Sequence, residues 1–95
     1  MPVDWKGFDR KLETHLTEAR RRLKSLVSGT PEVERIEIVD RSGKFGPEVE
    51  VSAEIVGGEV VSVTRHGGTR THALQTSIDD LSRVLERRAE STRGS

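Results

Sequence analysis

Glu48-Val49-Glu50-Val51-Ser52-Ala53-Glu54-Ile55-Val56-Gly57-Gly58-Glu59-Val60-Val61-Ser62-Val63-Thr64-Arg65 decides the fold. Val49, Val51, Ala53 and Ile55 alternate with Glu48, Glu50, Ser52 and Glu54, and a period of two sends the sets to opposite faces of a strand. Val56-Gly57-Gly58-Glu59 is the turn, because paired glycines accept positive φ at little cost. The chain returns with Val61 and Val63 on the apolar row and Ser62 and Thr64 on the wet one. The hairpin needs cover on one side only, and the flanking segments must supply it.

Upstream, the spacing predicts a helix over Pro2–Ser28, capped by Asp4, with an apolar stripe of Trp5, Phe8, Leu12, Leu16, Ala19, Leu23 and Leu26. Gly7 weakens its first turns. Gly29 and Pro31 end it, the glycine as a left-handed cap. Lys6, Arg10, Thr17, Arg21 and Lys24 fall on the back of this helix, flanked by Arg20 and Arg22. Val33 to Val39 is a short strand with Ile36 and Ile38 on one face and Arg35 and Glu37 on the other. Downstream, His66–His72 is a loop, and Thr71 to about Ala89 is a second helix with the stripe Leu74, Ile78, Leu81 and Leu85. Arg83 and Arg87 lie on its outer face, and residues from Glu90 onward fray for want of an apolar anchor.

The expected fold is therefore α+β: a two-layer sandwich of a three-stranded antiparallel meander with two helices on one face, in the order α-β-β-β-α. The 95 residues suit a single domain, with an ordered core over about 4–90 and a frayed tail over 91–95. A chain of this size buries roughly 60–65% of its unfolded surface, enough for one core.

Sixteen basic and sixteen acidic residues give zero net charge, and there is no cysteine, so disulfide and thiol chemistry are excluded. No apolar run reaches the length of a signal peptide or a membrane span, so the expectation is a cytoplasmic, soluble domain without a membrane partner. The charge is unevenly distributed: +3 over residues 1–29, −5 over 30–63 and +2 over 64–95. In the expected fold this makes a basic helical layer over an acidic outer sheet face of Arg35, Glu37, Glu48, Glu50, Glu54, Ser62 and Thr64. Such a field orients a protein on a phosphate surface despite neutrality.

The motifs that suggest chemistry do not complete a site. Asp40-Arg41-Ser42-Gly43-Lys44-Phe45-Gly46-Pro47 has two glycines and a lysine but neither Walker spacing nor a following helix, although its basic residues and Phe45 are able to touch a partner. His66 and His72 lack the further convergent ligands that a metal requires. Arg65 and Arg70, beside Gly67-Gly68, are placed to contact phosphates. Asp79 and Asp80 point about 100° apart on a helix, which excludes a carboxylate dyad. No nucleophile–base pair or cofactor loop is present, so neither an enzyme nor a cofactor is expected.

The stretch Thr71-His72-Ala73-Leu74-Gln75-Thr76-Ser77-Ile78-Asp79-Asp80-Leu81-Ser82-Arg83-Val84-Leu85-Glu86-Arg87-Arg88 resembles the last helix of the bacterial ribosome hibernation factors. In that family an Ala-Ile-Asp step is followed by an aspartate, a Lys-Leu pair and an Arg-x-Leu-x-Lys/Arg run. Ala73-Leu74-Gln75, Asp79, Leu81, Arg83, Leu85 and Arg87 fall on these positions. Gly58–Val63 resembles the family's last strand, and Arg20-Arg21-Arg22 the end of its first helix; the likeness covers about residues 8–90. It implies a sheet covered by two helices, binding to small-subunit rRNA in the decoding channel, and inhibition of translation during dormancy or stress. The implied RNA-binding residues are Arg83 and Arg87, with Arg20, Arg21 and Lys24, beside Arg65 and Arg70 from the loop reading. The family's first strand is expected to be absent here, which opens a sheet edge and permits a homodimer. The corresponding alternative is a protein-interaction module that keeps the fold and has lost RNA binding. Family members usually carry Asp, Lys or Arg where Gln75 and Asp80 stand, so local positive charge is lower here. The C-terminal dimerisation module of longer members is not in the sequence. Double-stranded RNA-binding domains share the element order, but their Lys-Lys-x-x-Lys cluster is replaced here by Thr71, His72, Gln75 and Thr76.

Overall fold

The computed structural model describes residues 3–7 and 17–93, with side chains through residue 88. The elements are β1 (Val3–Lys6), α1 (Thr17–Gly29), β2 (Val33–Asp40), β3 (Glu48–Ile55), β4 (Val60–His66) and α2 (Arg70–Arg93). The four strands form one mixed sheet in the order β1-β2-β3-β4. β1 runs parallel to β2, while β2–β3 and β3–β4 are antiparallel.

The expected meander is present as β2-β3-β4, but the sheet has four strands, not three. Val3 to Lys6 is a strand rather than the start of a helix, and Asp4 pairs with Arg35 across to β2 instead of capping. The edge expected to be open, along β2, is occupied by β1. Gly7 stops the strand: it adopts φ +83, and a Cβ there would stand 3.1 Å from the Asp40 Cβ. Phe8, Arg10, Leu12 and Leu16 lie outside the described residues.

The register explains the two faces. Val3, Ile36, Ala53 and Val61 form one row across the sheet, and Trp5, Ile38, Val51 and Val63 the next. Ala19, Leu23 and Leu26 of α1 and Ala73, Leu74, Ile78, Leu81 and Leu85 of α2 join these rows in a single core. Both helices thus cover the same sheet face, and they also pack against each other. Ser77 is buried in the α2 stripe, its hydroxyl 2.8 Å from both the Val49 and the Ala73 carbonyl oxygens.

The termini of the elements follow local chemistry. Gly57 (φ 103) and Gly58 (φ 92) turn the β3–β4 hairpin. Thr69 caps α2, its Oγ1 accepting the His72 amide at 3.0 Å. Gly29 does not adopt the left-handed conformation among the described residues; the Thr30 hydroxyl closes α1 by donating to the Leu26 carbonyl at 2.5 Å.

On the outer face, Asp4, Glu37, Ser52 and Ser62 make one row, and Lys6, Val39, Glu50 and Thr64 another. Three of its carboxylates are matched, Glu37 by Lys6 (3.4 Å), Asp4 by Arg35 and Glu50 by Arg41 (2.5 Å), while Glu48 stands 3.0 Å from His66 Nε2. The face is polar and rich in carboxylates, with cations woven into it.

Candidate nucleic-acid interface

The α2 stripe that enters the core fixes where its other side chains point. At about 100° per residue, Asp80, Arg83 and Arg87 emerge opposite the buried leucines on the flank toward β4. Arg65, one residue before the end of β4, pairs in register with the buried Val49 and so rises on the helical side of the sheet. Arg65, Asp80, Arg83, Val84 and Arg87 line one shallow hollow of about 170 Å³. Arg65 Nε donates to Asp80 Oδ2 at 2.5 Å, and Arg65 Nη1 to the Thr64 carbonyl at 2.8 Å. Arg83 Nη1 stands 3.4 Å from the other Asp80 oxygen. Arg87 has no ion-pair partner among the described residues. Three guanidinium groups against one carboxylate leave this hollow a net charge of +2.

Arg20 and Lys24 are placed together elsewhere, on the flank of α1 toward β1. With Val3, Trp5, Leu23 and Val27 they line a wider hollow of about 430 Å³. Arg21 points from the back of α1 and pairs with Glu18 at 3.7 Å. Arg70, at the start of α2, pairs with Asp40 at 3.2 Å, where the Asp40 side chain is only 7% exposed. The structure therefore brings together Arg65, Arg83 and Arg87 as one set and Arg20 and Lys24 as another, and commits Arg70 to an internal pair.

Between the sets lies a bridge that periodicity alone did not reveal. Arg22 Nη1 donates to Asp79 Oδ2 across the helix pair, and Arg22 Nε stands 3.6 Å from Glu18. The Asp79 hydrogen bond holds the Arg22 guanidinium above its ordinary pKa. The side chain faces α2 by its phase on α1, but its partner becomes legible only once the helices are packed. A second clamp was also unforeseen: Arg88 binds both carboxylate oxygens of Glu59, fixing α2 to the β3–β4 turn. It draws the Glu59 pKa down and the Arg88 pKa up, each chiefly through the shared hydrogen bond.

Among the described residues no group of three His, Cys, Asp or Glu side chains could hold a metal, and no helix is long and apolar enough to cross a membrane.

No protein-family model matches the chain, and no curated protein matches it significantly. Solved structures do. A ribosomal subunit interface protein from Coxiella burnetii superposes with a TM-score of 0.69 at 12% identity, covering 95% of this chain and 99% of that one. The chain shares its fold. The N-terminal domain of Thermus thermophilus Protein Y matches with a TM-score of 0.58 at 13% identity, over 90% of this chain and 93% of that one. Both neighbours belong to the hibernation-promoting factor family, the one that the last helix and strand resemble.

Proposed function

We propose that the chain is a non-catalytic ribosome-binding domain of the cytoplasm that lies on small-subunit rRNA in the decoding channel and blocks translation during dormancy or stress. Two lines support this reading. The fold is that of two ribosome-hibernation-type proteins over nearly the whole chain. The gathering of Arg65, Arg83 and Arg87 at one hollow carries the site: these side chains come from two elements, and the packing gives them one outlook. Guanidinium groups suit phosphate oxygens because their donors are planar, paired and permanently charged. Arg20 and Lys24 on the other flank supply a second contact, so the helical layer meets the nucleic acid along both sides of the Arg22–Asp79 bridge.

Sedimentation with purified small subunits over a salt series tests the proposal. Binding weakens as salt rises, because each neutralised phosphate releases counterions. Arg83→Glu with Arg87→Glu abolishes pelleting at salt concentrations where the parent pellets fully. Equal pelleting of the double variant and the parent overturns the assignment of this face.

A further inference from the structure

The β2–β3 loop carries a second feature that the helical face does not use. Phe45 is 94% exposed, and it sits on a fixed tip rather than a loose one. Gly43 and Gly46 exchange hydrogen bonds in both directions, at 3.3 and 3.1 Å, leaving Lys44 and Phe45 as the two tip residues. Below them, the Ser42 hydroxyl accepts the Glu48 amide at 3.1 Å and stands 3.4 Å from the Glu48 carbonyl, while Asp40 Oδ1 accepts the Ser42 amide at 2.9 Å. The Gly67 amide donates to the Pro47 carbonyl at 3.3 Å, tying the loop base to the segment before α2. Lys44 has no ion-pair partner among the described residues. At 94% exposure the Phe45 ring is covered by no neighbouring side chain, and a Cβ added at Gly43 or Gly46 would likewise meet no atom within 4 Å, so the tip itself is uncrowded.

We propose that Phe45 is a stacking platform for an unpaired base of the bound RNA, with Lys44 on the adjoining phosphate. An open planar face, a neighbouring cation and a preformed tip are what base stacking on a single strand requires, and such stacking tolerates any base. This inference rests on the rRNA-binding reading and adds a contact at the loop end of the sheet, separate from the helical flanks.

The test measures small-subunit binding against salt, together with 2-aminopurine fluorescence in a single-stranded RNA oligonucleotide. Phe45→Ala touches no packed neighbour, so its melting temperature equals the parent's. Its subunit affinity falls about 5- to 150-fold, the range for one lost stack, with the salt slope unchanged. Phe45→Trp keeps both affinity and fluorescence quenching. Phe45→Leu loses both; if it instead binds like the parent, Phe45 fills an apolar pocket on a protein and the stacking proposal fails. Gly46→Ala, strained at φ +101, loses affinity although Phe45 is still present, whereas Gly43→Ala does not. Parent-like binding and quenching by Phe45→Ala overturn the proposal and leave the helical face standing. A parent that quenches the oligonucleotide yet ignores subunits over the whole salt series supports the platform and overturns the ribosomal reading.

Discussion

Asp80→Asn makes a counter-intuitive test of the interface. Asp80 is the one carboxylate in the hollow, and it neutralises part of Arg65 and Arg83 at 2.5 and 3.4 Å. Removing its charge raises the hollow from +2 to +3 while keeping the side chain's size. The slope of log affinity against log salt is roughly −0.9 per neutralised phosphate, so a hollow that engages two phosphates contributes about −1.8, and one that engages three about −2.7. Over a fourfold rise in salt, the parent's hollow then costs roughly 12-fold in affinity and the variant's roughly 40-fold. The variant binds more tightly at low salt and converges on the parent at high salt. The cost to folding is small: the carboxylate is 21% exposed and Arg83 is 73% exposed, and surface pairs contribute about 0–1 kcal/mol. The assay is fluorescence anisotropy of labelled protein titrated with purified small subunits at four salt concentrations. A slope equal to or shallower than the parent's refutes the reasoning, because the hollow would then not be where phosphates sit.

Gly67→Ala destabilises the fold, since its Cβ would stand 2.6 Å from the Ala73 amide nitrogen; overpacking of this kind costs about 1–3 kcal/mol, and a chemical melt with a midpoint equal to the parent's contradicts it. Trp5 is the single tryptophan and lies on β1 among the core-facing rows, so its fluorescence and the far-UV circular dichroism change at one common denaturant midpoint; an earlier tryptophan transition would mean that β1 detaches on its own. The Glu59–Arg88 clamp gives a pH dependence of known sign. Glu59 has its pKa lowered on folding from the ordinary 4.5, so the clamp's contribution is complete above that value and is lost as pH falls through the lower folded value. Glu59→Gln therefore flattens the acid limb of a thermal-stability profile, and an unchanged limb counts against the clamp.

The β2–β3–β4 meander was legible in the sequence because β3 alternates throughout, β2 from Arg35 past the bulge at Val33 and β4 from Val61 to Thr64, and the connections carry glycines. The core stripe of α2 was legible for the same reason, as a long element with a clear period. β1 was not. Four residues hold two alternations, Val3/Trp5 against Asp4/Lys6, and Trp5 also fits a spacing of three and four with the residues that follow. The deciding signal was Gly7, which looks like a weak point in a helix and is the break that ends a strand. Within the site, the outward phase of Arg83 and Arg87 followed from helix geometry, but their union with Arg65 and the neutralising reach of Asp80 depend on how α2 lies over β4. The commitment of Arg70 to Asp40 was equally invisible, since the partners are thirty residues apart and meet only through the sheet.

The parallel pairing of β1 also governs the order in which the molecule assembles. Val3 pairs with Ile36, which follows 33 residues later in the chain, behind the whole of α1. β2, β3 and β4 close through adjacent hairpins, whereas β1 needs a long chain segment to fold back before it gains a single ladder bond. Of the strand pairings β1–β2 thus closes the longest loop, and without it the backbone of β2 stands uncovered along one side of the sheet.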